Sequence, residues 1–185
     1  MQEKFKKIAR FWIFMGVFHT IFAFSSIHAE ALYFMPYEQK PALDAPKNAF
    51  ANAKDEIKIS IYSFTNNEIA KVLRDSARRG VKIHIIYDKE SNVKNSASTI
   101  GYLAKYNNIS VCLLSGLRAK NGKYYGIMHQ KMAIVDSQTL ILGSANWSKN
   151  AFENNFETLL FTQDQSMVQK ALSAYAQMMS TCAGF

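Results

Sequence analysis

From residue 56 onward the sequence alternates between two periods, and that alternation restricts the fold more than any other feature. Over residues 56–64, Ile57, Ile59 and Ile61 fall on one side and Lys58, Ser60 and Tyr62 on the other, the two-residue period of a strand. Asn66 or Asn67 can then cap a helix running to Arg79, in which Ile69, Val72, Leu73 and Ala77 recur at helical spacing and Gly80 marks the stop. A second strand follows over residues 81–87. Its run Ile83-His84-Ile85-Ile86 is apolar on both faces, as in a covered parallel strand. A helix over residues 97–106 and a strand over 109–114 repeat the rhythm. Ahead of it lie an opening strand at 31–37 and a helix over roughly 45–54, introduced by Pro41 and Asp44. Behind it lie strands at 139–142 and 158–161 and a closing helix at 164–180. This order predicts an α/β/α sandwich around a mixed, mostly parallel β-sheet, with helices covering the sheet faces.

The chain has 185 residues and is 49% hydrophobic, enough for a single domain with a real core. Its first 29 residues are of a different kind. Lys4, Lys6, Lys7 and Arg10 form a basic head, and residues 11–29 contain no Asp, Glu, Lys or Arg. Nineteen helical residues would span about 28 Å, close to the hydrocarbon thickness of a bilayer. Ser25, Ser26 and His28 shorten the apolar part. Ala23-Phe24-Ser25 fits a small-x-small cleavage pattern, and Ile27-His28-Ala29 fits it less well. The segment reads either as a signal peptide or as an anchor held in the membrane through residues 8–25. Either reading exports residues 30–185, to the periplasm or as a membrane-anchored domain outside the cytoplasm. Cys112 and Cys182 can pair in that oxidising setting, but two cysteines so far apart do not decide the matter. Residues 30–185 keep a basic excess, 18 Lys or Arg against 13 Asp or Glu, a net of +5, which favours an anionic partner.

The chemistry concentrates in His129-Gln130-Lys131-Met132-Ala133-Ile134-Val135-Asp136. On a strand His129 and Lys131 share a face about 7 Å apart, one group able to attack phosphorus and one to hold phosphate charge. Asp136 falls at the following polar turn and reads as structural. After the next strand, Gly143-Ser144-Ala145-Asn146 repeats the alternation. Ser144 and Asn146 can donate hydrogen bonds to phosphate oxygens, and Gly143 permits close backbone approach. Trp147 reads as a packing anchor. His84 reads as structural, since Ile86 stands where a lysine would be needed. Residues 115–126 form a loop with three glycines and no acid. Its Arg118, Lys120, Lys123, Tyr124 and Tyr125 are candidates for contacting phosphates and stacking on unpaired bases, and a solvated hairpin whose tyrosines cover the core is the plainer alternative. No spacing of His and Cys offers a metal site, and no cofactor is expected.

His-x-Lys-x4-Asp, followed by Gly-Ser-x-Asn-x-Ser at 143–148 and Asn-x-Glu at 155–157, resembles the phospholipase D superfamily. More narrowly, it is similar to the small single-motif bacterial endonucleases of that superfamily. The resemblance implies that His129 is the nucleophile that forms a phosphohistidine and that Lys131 and Asn146 hold the non-bridging oxygens. It also implies that Ser144 and Glu157 support the histidine, Glu157 orienting the imidazole. The expected activity is metal-independent hydrolysis of DNA, and of RNA as a further candidate, with little sequence preference.

Displacement at a phosphodiester needs a nucleophile on one side and a proton donor on the other, and one imidazole cannot occupy both. The motif occurs once here, so the second histidine is expected from another copy of the chain, in a homodimer with a shared site. Two other readings compete: a phospholipase D acting on anionic lipid, and a nucleic-acid-binding protein without catalysis.

Overall fold

The computed structural model describes residues 30–185; the leader or anchor expected over residues 1–29 lies outside the described residues. Strand β1 (Ala31–Met35) leads through a turn into helix α1 (Gln39–Asn52), longer than its expected span, with Pro41 in its first turn and Pro46 buried. Then come β2 (Glu56–Ile61), α2 (Asn67–Arg78) and β3 (Lys82–Asp88). Asn66 caps α2 as its sequence predicts, its side-chain oxygen accepting from the N–H groups of Glu68 and Ile69. The helix expected over 97–106 is shorter. Two brief helices, α3 (Lys89–Val93) and α4 (Ile100–Leu103), take its place before β4 (Ile109–Leu114). The chain ends through β5 (Lys131–Val135), β6 (Thr139–Gly143), α5 (Lys149–Glu153), β7 (Glu157–Thr162), α6 (Gln165–Met179) and a two-residue β8 (Ala183–Gly184).

The described strands form one sheet in the order β1-β7-β6-β5-β2-β3-β4-β8. The α/β sandwich is as expected, but the parallel majority is not. Only β2–β3 and β3–β4 pair in parallel, and the other five pairings are antiparallel. The reason is connection length. A parallel return needs a crossover of a dozen or more residues, which α2 and the α3–α4 region supply, whereas only residues 136–138 join β5 to β6. Asp136 and Ser137 turn that corner at φ of 50° and 54°, the left-handed geometry of tight hairpins.

Each face of the sheet has its own core. On one, Ile57, Ile59, Ile61, Ile83 and Ile85 pack beneath Phe50 of α1, Ile69 and Leu73 of α2, Phe152 of α5, and Phe64 and Trp147 from the loops. On the other, Val168, Ala171 and Tyr175 of α6 cover Ile86, Ile134 and Leu140. Cys112 of β4 and Cys182, just beyond α6, form a disulfide that ties this helix to the sheet.

Candidate active site

Pairing directions bring one end of nearly every strand to the same edge. There β1, β2, β3, β4 and β6 finish and β5 and β7 begin. In sheet order this edge carries Glu157 of β7, Ser144 and Asn146 after β6, His129 and Lys131 at β5, Tyr62 after β2 and Asp88 of β3.

The strand expected from His129 starts only at Lys131, so His129 sits on the extended approach to β5. That approach is anchored from both sides. The Met128 N–H donates to Asp88 Oδ2 at 3.0 Å, and the Tyr62 N–H donates to the Gln130 carbonyl at 2.8 Å. Ser60 Oγ donates to Gln130 Oε1 at 2.8 Å. Asp88 is 1% exposed and also caps α3 through the Ser91 N–H; Asn92 Nδ2 donates to the carbonyls of Tyr62 and Asp88. A buried polar network therefore locks the two backbones flanking the histidine.

The imidazole remains exposed and lies edge-on to the Tyr62 ring, centroids 4.5 Å apart. Lys131 is 5% exposed. Its Nζ donates to the His129 carbonyl at 2.9 Å and stands 5.0 Å from the Tyr62 ring centroid, a cation–π geometry. Burial pushes the Lys131 ammonium below its ordinary value, and the charge of Glu157 pulls it part of the way back. Tyr62 thus touches both members of the His-x-Lys pair.

Ser144 Oγ donates to Glu157 Oε2 at 2.5 Å and accepts from the Thr158 N–H at 3.0 Å. Asn155 Nδ2 donates to Glu157 Oε1 at 3.4 Å. Among the described residues no hydrogen bond reaches the His129 ring; Glu157, expected to orient it, engages Ser144 and Asn155. Asn146 Oδ1 is buried without a hydrogen-bond partner among the described residues, a costly state for a polar atom. Trp147 fixes the loop that carries these groups. Its ring is 1% exposed against Phe64 and Phe50, and its backbone bonds Ser63, Thr65 and Asn66.

Two motif residues do other work. Asp136 lies at the far end of β5, seven residues and roughly 23 Å along an extended chain from His129. Its carboxylate accepts the N–H groups of Lys54, Asp55 and Glu56 at 2.9–3.0 Å and holds the entry to β2. At Gly143 the close approach is by the Thr158 carbonyl of β7. A Cβ there would stand 2.1 Å from its oxygen.

Residues 116–126 form a hairpin, closed by Gly116 N–H to Gly126 O at 2.7 Å and Ala119 N–H to Tyr124 O at 2.8 Å. The Arg118 guanidinium donates to the Gly122 carbonyl, within its own hairpin. Lys120 and Lys123 are exposed, and Tyr124 and Tyr125 are 64% and 62% exposed, so these rings do not cover the core. A cleft of about 1060 Å³ opens between this hairpin and α3, lined by Lys89, Glu90, Val93, Lys94, Ser115, Tyr124 and Tyr125. His129 stands outside that lining, four residues further along the chain.

An exposed imidazole, a buried lysine beside it, and a serine, an amide and a carboxylate thus gather at one sheet edge. A family described as "Cardiolipin synthase, PLD-like domain" matches residues 47–179, more than half of the chain, and the protein belongs to this phospholipase D-like family of phosphodiesterases. Human mitochondrial cardiolipin hydrolase is 29% identical over 134 residues, covering 72% of this chain and 49% of that protein. The chain spans about half the length of the curated relatives it matches. Among solved structures, NucT from Helicobacter pylori is 54% identical with a TM-score of 0.83, over 85% of this chain and 99% of that one. Nuc from Salmonella typhimurium, a phospholipase D family member, has the same fold at 23% identity and a TM-score of 0.71, over 85% and 98% of the two chains.

Proposed function

We propose that this phosphodiesterase is an endonuclease that hydrolyses DNA, with RNA as a further substrate and little sequence preference, through a phosphohistidine at a homodimer interface. The observation that carries the reading is the exposed His129 imidazole held beside buried Lys131. In the first step a His129 ring nitrogen attacks phosphorus and the bond to the leaving oxygen breaks. The leaving oxygen takes its proton from the His129 of a second copy. That second histidine then removes a proton from water as the water attacks phosphorus, the phosphorus–nitrogen bond breaks, and His129 is restored. Lys131 and the Asn146 amide hold the non-bridging oxygens, where charge gathers in the transition state. Glu157 keeps the Ser144 hydroxyl in place and supplies negative charge near Lys131. Arg118, Lys120, Lys123, Tyr124 and Tyr125 bring cations and rings to the approach. With fixed cations in these roles, cleavage is expected to persist in EDTA.

The test incubates the protein in EDTA with plasmid, single-stranded DNA, RNA and phospholipid vesicles, beside His129→Ala. Cleavage by the wild type and its loss in a folded His129→Ala protein is the expected outcome; full EDTA-resistant activity in that variant would sink the assignment.

A second reading, hydrolysis of an anionic phospholipid, is favoured by the similarity to proteins named cardiolipin hydrolase and by the apolar stretch at residues 11–24. Release of headgroup or phosphatidic acid without plasmid nicking would replace the first reading by the second. Export, with residues 1–29 as signal peptide or anchor, is part of the proposal. The Cys112–Cys182 disulfide supports it, because such bonds persist in oxidising compartments.

A further inference from the structure

We infer that Asp88 is a positioning residue for the His129 imidazole, acting through the backbone of Met128 with Asn92 completing its hold; this rests on His129 being the nucleophile of the proposed reaction. His129 precedes β5, whereas Asp88 ends β3, and β2 lies between those two strands. Ladder hydrogen bonds join only neighbouring strands, so none can tie β3 to the approach of β5. The Asp88 side chain supplies the tie instead, its Oδ2 accepting the Met128 N–H at 3.0 Å across the end of β2. On the other side of the histidine, the Gln130 carbonyl accepts the Tyr62 N–H at 2.8 Å. His129 is thus gripped one residue before and one residue after, and Asp88 is the grip before it.

A carboxylate at this place is a costly choice. Asp88 is 1% exposed, and among the described residues no salt bridge reaches it. Serine or asparagine would cap α3 as well without a charge. Neither offers two acceptor oxygens and no donor, and Asp88 uses both of its oxygens. Oδ1 accepts the Ser91 N–H at 2.9 Å and caps α3, while Oδ2 holds Met128. One carboxylate therefore sets the start of α3 and the path into His129 against each other. Asn92, also 1% exposed, closes the arrangement from α3. Its Nδ2 donates to the Tyr62 carbonyl at 2.7 Å and the Asp88 carbonyl at 2.8 Å, and its Oδ1 accepts from Ser98 Oγ at 2.9 Å. The Tyr62 backbone held in this way carries the ring against which the imidazole lies. Displacing a reacting group by about 1 Å costs on the order of 100-fold in rate, so the mark of Asp88 falls on kcat and not on KM.

The experiment measures kcat, KM and Tm of wild type, Asp88→Asn, Asn92→Ala, Ser76→Ala and His129→Ala, with a single-stranded oligonucleotide as substrate. Asp88→Asn keeps the size of the side chain and an oxygen to cap α3, but turns an NH2 group toward the Met128 N–H, donor against donor. Ser76→Ala removes a buried hydrogen bond to the Phe50 carbonyl near the start of β3, the end opposite Asp88, and reports what lost stability does alone. In Asp88→Asn kcat is expected to fall about 10- to 100-fold with KM within about twofold of wild type, while Ser76→Ala keeps the wild-type kcat. Asn92→Ala moves kcat in the same direction, and it decides by the same criterion if Asp88→Asn does not fold. Wild-type kcat in folded Asp88→Asn, a change in KM alone, or an equal loss of kcat in Ser76→Ala overturns the assignment. Full activity in His129→Ala would remove the nucleophile and this role with it. Loss of activity in His129→Ala beside an unchanged kcat in Asp88→Asn would leave the nucleophile standing and remove only the positioning role. If the wild type acts on cardiolipin vesicles and not on nucleic acid, the substrate reading has failed, and the same comparison on vesicles tests Asp88.

Discussion

Tyr62 is the residue on which the geometry of the candidate site turns, since its ring meets the His129 imidazole edge-on and stands beneath the Lys131 ammonium. Its contribution is positional. The ring limits how far the imidazole can rotate, and its π face offsets part of what burying Lys131 costs. Tyr62→Phe keeps the ring and should leave kcat close to wild type. Tyr62→Leu should lower kcat on the order of tenfold or more, the scale of a small misplacement of a reacting group. A matching shift in the alkaline limb of the pH–rate profile is expected as Lys131 loses its ring. Steady-state kinetics of the two variants on one oligonucleotide check this; equal kcat in both would contradict it. His129, Lys131, Ser144, Asn146 and Glu157 were legible in the sequence because their type and spacing carry chemistry within a short string. Tyr62, Asp88 and Asn92 were not. Tyr62 and Asp88 reach the His129 segment, 40 or more residues further on, through a ring face and a buried hydrogen bond, and Asn92 reaches back 30 residues to the Tyr62 carbonyl; no local spacing records such contacts.

At the scale of elements, α2 was readable with its cap because propensity, period and capping residue agree over one continuous segment. The balance of parallel and antiparallel pairing was not read from the apolar strands, although the short link from β5 to β6 carried that information. The disulfide depended on the path of the whole chain: β8 lies against β4, with Cys112 opposite Gly184, and this brings residues 70 apart in sequence together. Closing a loop of that length restricts the unfolded chain by about 4 kcal/mol. Cys112→Ser/Cys182→Ser should therefore lower Tm by many degrees, with fraying confined to α6 and β8 in hydrogen exchange. An unchanged Tm would show that α6 needs no tether. The same face carries a pH-dependent term. His84 on β3 hydrogen-bonds Ser110 at 2.6 Å and faces Lys58, Glu56 and Lys82, while Tyr175 of α6 donates to its carbonyl. Burial, helped by Lys58, holds its pKa below the ordinary 6.5 in spite of Glu56. The unfolded chain thus binds the proton more readily, so this contribution to stability is present above about pH 6.5 and is lost as pH falls. His84→Gln should flatten the decline of Tm between neutral and mildly acid pH, which calorimetry across that range measures.

The whole molecule presents one functional edge, and that edge is asymmetric. The middle strands hold His129, Lys131 and Ser144, with the basic and aromatic hairpin to one side, so in the proposed reaction phosphate and strand meet different parts of one rim. What the described residues do not place beside His129 is a second imidazole to protonate the leaving oxygen. The proposed homodimer supplies it as His129 of a second copy, and this is the step most directly open to measurement. If each reaction consumes one His129 from each copy, a heterodimer of wild type and His129→Ala is inactive. Mixing wild type with an equal amount of His129→Ala and allowing subunits to exchange leaves one quarter of all dimers with two histidines. Activity per wild-type subunit then falls to about one half, by random pairing within a two-fold dimer. If each copy works alone, the same mixture keeps the activity of the wild type it contains. Exchange is confirmed by native mass spectrometry on copies of different mass. Exchange with undiminished activity would assign both proton transfers to a single chain and remove the reason for the shared site; a fall to about one half would tie the nucleophile of one copy to the acid of the other.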